Sequence, residues 1–293
     1  MFKYSSKFTT IKNMNFTKYT GLGNDFVFLD GKTALSVTNP AALAREMCDR
    51  RFGIGADGLV LLLPSQKADV RMQIFNSDGS EAEMCGNASR CAALHVYRRK
   101  WINRKNIVLE TLAGPIYTEI LDEKLGIVCV DMGRPRLTRK EIPLSGAPDD
   151  SVQNITLSAA GQNWTGTAVS MGNPHFVIFV DDIFKIDLQT VGPQIETHPL
   201  FPRKTNVEFV QVLGKNAVRM RVWERGAGIT QACGTGACAT AVAGVLTGKT
   251  AEEITVVLDG GNLEIAWPQR NNVLMTGHAQ AVFEGDFYYD PTK

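Results

Sequence analysis

Short apolar runs separated by glycine-rich turns dominate the chain. Their spacing predicts strands over 26–29, 59–63, 70–75, 107–110, 116–120 and 127–131, rich in Val, Ile, Leu and Phe. After a proline- and acid-containing loop over roughly 133–151, strands resume at 167–170, 175–180, 207–213, 217–223, 254–258, 262–267 and 273–284. Three stretches read as helices. Residues 40–51 (PAALAREMCDRR) carry a proline near the first turn. Residues 87–100 (NASRCAALHVYRRK) have Asn87 as a candidate cap and basic residues in the last turn. Residues 235–247 (TGACATAVAGVLT) are small and apolar, which predicts burial. The strand-like pattern begins at Met14. Residues 1–13 are basic and polar without the apolar core of a secretory signal, and read as an extension lacking fixed structure, with a transit peptide left open.

The order of these elements repeats. NSDGSEAEMCGN (76–87) and ERGAGITQACGT (224–235) each end in Cys-Gly followed by a predicted helix. Cys85 and Cys233 lie 148 residues apart, as do Asn76 and Glu224, while Asn24 in GLGND and Asn173 in MGNPH are 149 apart. Landmarks at nearly one offset predict two halves built alike. Two such halves imply pseudo-twofold domains with a cleft between them, where small-molecule sites usually sit. The expected division is residues 14–131 plus 276–293 for one domain and 132–275 for the other.

Composition narrows the function classes. Hydrophobic residues make up 44% of the 293 and charged residues 21%, with a net charge of +1. That is the profile of a globular protein, and the near-zero charge argues against a nucleic-acid or anionic-membrane partner. No apolar run approaches the ~20 residues of a membrane span. The six cysteines, with no export signal, point to a reducing, cytoplasmic compartment and free thiols. Zinc fits poorly, because there is no CxxC pair and the four histidines are scattered. No P-loop and no GxGxxG opening a helix after a strand is present, so neither metal nor cofactor is expected.

The two Cys-Gly turns carry the candidate chemistry. Each cysteine precedes a helix start, where free N–H groups and the helix dipole favour negative charge. Thiols at such positions are expected to ionise below the free value of about 8.5. The following glycines let backbone N–H groups approach an anion, and a carboxylate held there would be stabilised as negative charge builds on it. One thiolate and one thiol on opposite faces of a carbon make a racemase without pyridoxal phosphate. Cys48, Cys91, Cys129 and Cys238 read instead as packing residues.

The chain resembles the diaminopimelate epimerase family. The resemblance rests on TGLGNDF (20–26), RRFGIGADGLV (50–60), IFNSDGSEAEMCGN (74–87), SMGNPHFVIFVDD (170–182), RKTNVEFVQV (203–212), RVWERGAGITQACGTGACA (221–239) and MTGHAQAVFEG (275–285). It implies an α+β fold of two similar domains, each a β-barrel-like sheet around a central helix. It implies Cys85 and Cys233 as the acid–base pair, with His175 and Glu224 helping to set their protonation. Asn24, Asn76, Asn206, Glu224 and Arg225 match positions that grip the distal end of the substrate, and Asn173 matches another contact near the cleft. Gly86, Asn87, Gly234 and Thr235 follow the cysteines at the helix starts and are expected to bind substrate. The implied reaction converts LL-2,6-diaminopimelate to the meso form for lysine and peptidoglycan precursors. A homodimer is a further expectation from the family.

The match has departures. The family's GNGxR reads GNASR here, with Ala88 and Ser89, and some members carry glutamine where this chain has Gly58. Substitution beside the anion-binding turn is expected to alter its backbone or narrow the pocket. The same fold hosts racemases of other amino acids, including histidine, so that reading stays open. A non-catalytic thiol-redox or metal-binding protein is the distant alternative.

Overall fold

The computed structural model describes residues 12–290. The first half contains β1 (Lys12–Gly21), β2 (Asn24–Leu29), α1 (Gly31–Leu35), α2 (Pro40–Cys48), β3 (Gly58–Leu63), β4 (Val70–Asn76), β5 (Glu81–Ala82), α3 (Gly86–Arg98), β6 (Asn106–Thr111), β7 (Gly114–Asp122) and β8 (Ile127–Asp131). The second contains β9 (Ile155–Ala159), β10 (Gln162–Ser170), β11 (Pro174–Phe179), α4 (Leu188–Glu196), β12 (Asn206–Gly214), β13 (Ala217–Glu224), β14 (Gly228–Ile229), α5 (Gly234–Leu246), β15 (Glu253–Leu258), β16 (Gly261–Ala266), β17 (Leu274–His278) and β18 (Gln280–Tyr289).

The pairing scheme of one half is copied in the other. β2 runs parallel to β3 as β11 does to β12, and β4 parallel to β6 as β13 does to β15. The antiparallel pairs β3–β4 and β6–β7 match β12–β13 and β15–β16. The halves interlock at their ends. β17 pairs with both β16 and β8, and β18 crosses back to pair with β1.

A helix fills each half. α3 touches β1, β4, β6, β7, β8 and β18, while α5 touches β10–β13 and β15–β17. α3 is buried on every side from Gly86 to Val96, and α5 from Gly236 to Gly244. A helix apolar or small all round belongs inside a core, and both sit in one continuous apolar cluster. The strands follow the same logic. β7 alternates, with Ile116, Thr118 and Ile120 inward. β3 (GLVLLL) is buried on both faces, as expected of a parallel strand covered by α1 and α2 outside and α3 inside. A second outer layer forms where α4 covers the other sheet.

Several elements differ from the sequence expectation. β1 begins at Lys12, which pairs with Tyr289, so two residues of the expected extension are strand; residues 1–11 lie outside the described residues. α2 stops at Cys48, because Asp49 turns out of the helix (ψ 123°) and its carboxylate accepts from the Arg51 and Phe52 amides at 2.7 Å. The run 273–284 is two strands, broken at buried Ala279, whose N–H bonds to Gly126. Among the described residues no helix is long and apolar enough to cross a membrane.

Candidate active site

A cleft of about 1240 Å³ is lined by residues of both halves, including Asn24, Asn76, Cys85, Gly86 and Asn87 from one and Asn173, Glu224, Arg225, Cys233, Gly234 and Thr235 from the other. Its two centres are the starts of α3 and α5. Cys85 and Cys233 are the N-cap residues, in similar extended conformations (φ −143°, ψ 118° and φ −126°, ψ 108°). The two helix starts approach one another around Met275. A Cβ on Gly86 would stand 2.6 Å from Met275 Cε, and one on Gly234 3.0 Å from Met275 Sδ. Glycine at both positions permits this approach.

The surroundings of the two thiols differ. Cys85 Sγ faces Asn24 Oδ1 at 3.7 Å. Asn24 opens β2 after a two-residue hairpin loop in which Leu22 and Gly23 both have positive φ (58° and 82°), the geometry of a type I′ turn. Its Nδ2 donates to Asp57 at 2.7 Å, and Asn87 Nδ2 donates to its Oδ1 at 3.1 Å. Asp57 also accepts from Arg50, which bridges to Asp25. Cys233 Sγ accepts from the Gly236 amide at 3.4 Å and lies 3.6 Å from Thr235 Oγ1. Asn173 Nδ2 donates to Thr235 Oγ1 (3.3 Å), and Asn173 Oδ1 meets His175 Nε2 (3.0 Å). His175 Nδ1 meets Glu208 Oε1 at 2.7 Å, both residues fully buried. A hydrogen-bonded chain therefore runs from Glu208 through His175 to the cysteine.

Burial disfavours the thiolate and pushes the pKa of both thiols up. At Cys85 the Ala88 and Asn87 amides and the Arg90 guanidinium oppose the rise. At Cys233 burial, then Glu224 and Glu208, push the thiol well up, with Thr235 and the Gly236 amide opposing. The expected lowering by helix N-termini is thus overridden: the dipole acts, but desolvation and neighbouring carboxylates outweigh it. Glu224 is itself raised by burial, against hydrogen bonds from Thr230 and Cys233. Cys48 and Cys91 are pushed up to about 12 by burial, in keeping with inert packing thiols.

The remaining expected residues fall on the rim or behind it. Asn76 is exposed on the cleft and its Nδ2 donates to Ser80. Arg225 is exposed, with Nη1 on the Arg203 carbonyl at 3.1 Å. Asn206 is buried; its Oδ1 takes the Arg225 amide and its Nδ2 donates to the Pro174 carbonyl. It shapes the turn carrying Arg225. Ala88 and Ser89 do not line the cleft. They are fully buried, and Ser89 Oγ bonds back to the Cys85 carbonyl. The expected narrowing of the pocket at these positions does not occur, because their side chains face the core.

Glu208, Glu196, Asp57 and Arg90 were not singled out in the sequence. Glu196 is buried and accepts from Trp223 Nε1 (2.7 Å) and the Gly226 amide (3.1 Å), anchoring the Glu224–Arg225 turn. An acid inside the apolar strand NVEFV is the one sequence signal that would have marked Glu208. Among the described residues no group of three His, Cys, Asp or Glu side chains is placed to hold a metal ion.

The family model described as diaminopimelate epimerase matches residues 16–138 and 167–282. A curated diaminopimelate epimerase of Pelotomaculum thermopropionicum is 56% identical over 279 residues, covering 94% of this chain and 99% of its own. That of Synechocystis sp. is 51% identical over 275 residues, covering 93% and 98%. Among solved structures, a hydroxyproline epimerase from Agrobacterium vitis with bound trans-4-hydroxy-L-proline superposes with a TM-score of 0.66 at 16% identity, covering 97% of this chain and 93% of its own. At that identity the likeness is one of fold.

Proposed function

This chain belongs to the diaminopimelate epimerase family, and on that premise we propose how it interconverts LL- and meso-2,6-diaminopimelate with its own side chains. One cysteine of the pair, as thiolate, takes the α-proton. The other, as thiol, delivers a proton to the opposite face. The proton count is unchanged over a turnover, and the thiol and thiolate roles have exchanged. The observation that carries this reading is that both cysteine caps open onto one cleft at the adjacent starts of α3 and α5. Their free N–H groups suit a carboxylate whose negative charge grows as the α-proton leaves. Glu224 and the His175–Glu208 pair serve Cys233. Asn76, Arg225 and Asn24 stand at the edges of the cleft, where a second amino-acid end would reach them.

The test is a solvent-deuterium exchange panel. LL-diaminopimelate should gain one α-deuterium while converting to the meso form, and histidine should gain none. Label in histidine but not in diaminopimelate would overturn the substrate. Cys85→Ala and Cys233→Ala should each lower turnover by about 10²–10⁴-fold or more, the range for loss of a general acid or base. Full two-way turnover by either variant would overturn the two-base scheme.

A further inference from the structure

The chemistry above leaves a wholly buried cation unused. Arg90 lies in α3 and is wholly buried. Its Nη2 donates to Asn87 Oδ1 at 2.8 Å, its Nε to the His278 carbonyl at 3.2 Å, and its Nη1 meets Met275 Sδ at 3.7 Å. Among the described residues no carboxylate pairs with it; the ionisable groups around it are Cys85, Cys91 and Cys238. A buried, unpaired guanidinium is unfavourable by itself. Yet space is kept for it. A Cβ on Gly21 would stand 3.3 Å from its Nη2, and one on Gly277 3.3 Å from its Cζ.

The cation has no counterpart in the other half. The residue 148 positions on is Cys238. Conversely, the strand pairing sets His175 opposite Asn206 where the first half sets Phe26 opposite Gly58. Glu208, likewise, corresponds to Val60. So one half places a cation behind its reacting cysteine, and the other an imidazole and a carboxylate. From Arg90 the bonds lead on. Asn87 donates to the Asn24 oxygen that faces Cys85, and Asp57 holds the other end of that amide.

We propose that Arg90 is a positioning residue for Cys85: its guanidinium fixes Asn87 and through it Asn24, and sets behind Cys85 a positive charge that the other half does not set behind Cys233. The charges facing each thiol agree. Cys85 sees Arg90 and Glu224, whereas Cys233 sees Glu224 and Glu208. The proposal rests on Cys85 being one of the two reacting thiols.

The test labels full-length protein with iodoacetamide across a pH series, without substrate, and reads Cys85 and Cys233 separately by peptide mass spectrometry. Arg90→Met should move the half-labelling pH of Cys85 up by about one unit, roughly tenfold slower labelling below it, and leave Cys233 unmoved. Arg90→Lys loses the fork, and its ammonium, buried without a carboxylate partner, readily gives up its proton. In it kcat should fall about tenfold or more while KM changes little. A folded Arg90→Met protein with an unmoved Cys85 profile, or with both profiles shifted equally, overturns the electrostatic part. Full kcat in Arg90→Lys overturns the positioning part. If Arg90→Met fails to fold by circular dichroism, Arg90→Gln, which keeps hydrogen-bond donors without the charge, takes its place: an unmoved Cys85 profile counts against the proposal. Absence of deuterium exchange by the wild-type protein would instead remove the epimerase reading, and leaves the labelling result to be judged separately.

Discussion

Cys85 and Cys233 hold the same place in their helices but meet different neighbours. Burial pushes both thiols up, and carboxylates push Cys233 further. A two-base reaction needs one thiol and one thiolate. As pH falls below the raised values both cysteines carry protons and activity is lost; as pH rises above them both are ionised and activity is lost again. The bell-shaped profile of kcat/KM should therefore centre on the alkaline side of neutrality. A maximum below pH 7 in a pH–rate series would show that the helix starts, not desolvation, dominate. At this scale the sequence revealed the cysteines, because their Cys-Gly context repeats. It did not reveal that Glu208 serves His175. The two are 33 residues apart in sequence, and their 2.7 Å contact exists only because β11 and β12 run parallel in one register.

Elements were legible where a local rule acts alone. The cores of α3 and α5 follow from small and apolar residues, and both helices form where expected within a residue or two. α4 was missed, since Pro193 interrupts the pattern; Asp187 caps its start by accepting from Gln189 and Thr190 amides. The split between β17 and β18 was also missed. The sequence there is one continuous strand-like run, but its first part pairs with β8 and its second with β1. Contact between turns of the two halves can be tested. Leu22 and Gly23, in the turn before Asn24, lie against the Gly260–Gly261 turn, and a Cβ on Gly260 would stand 2.1 Å from the Leu22 carbonyl oxygen. Backbone cannot yield as a side chain can, so Gly260→Ala should destabilise by about 1–3 kcal/mol. It should also displace Asn24. Unchanged urea denaturation together with unchanged kcat would show that this contact is slack.

At the scale of the molecule, the duplication places two equivalent cysteines on one cleft while letting their surroundings diverge. A cleft shared by two halves couples ligand binding to stability, since substrate binds only the assembled form. LL-diaminopimelate at 100 times its Kd should add about 2.7 kcal/mol. For a chain of this size that raises Tm by several degrees, about 2–4 °C per kcal/mol. No shift in a thermal melt at saturating substrate would mean that the cleft does not hold it. The sequence by itself determined the repeat, the two buried helices and the pair of Cys-Gly starts, because periodicity, small side chains and glycine act over a few residues. Only the tertiary structure decided the protonation environment. Desolvation, the approach of Glu208 and Glu224 to Cys233 and the burial of Arg90 behind Cys85 depend on groups brought together from distant strands. That is why the thiols expected to be lowered at helix starts are instead raised.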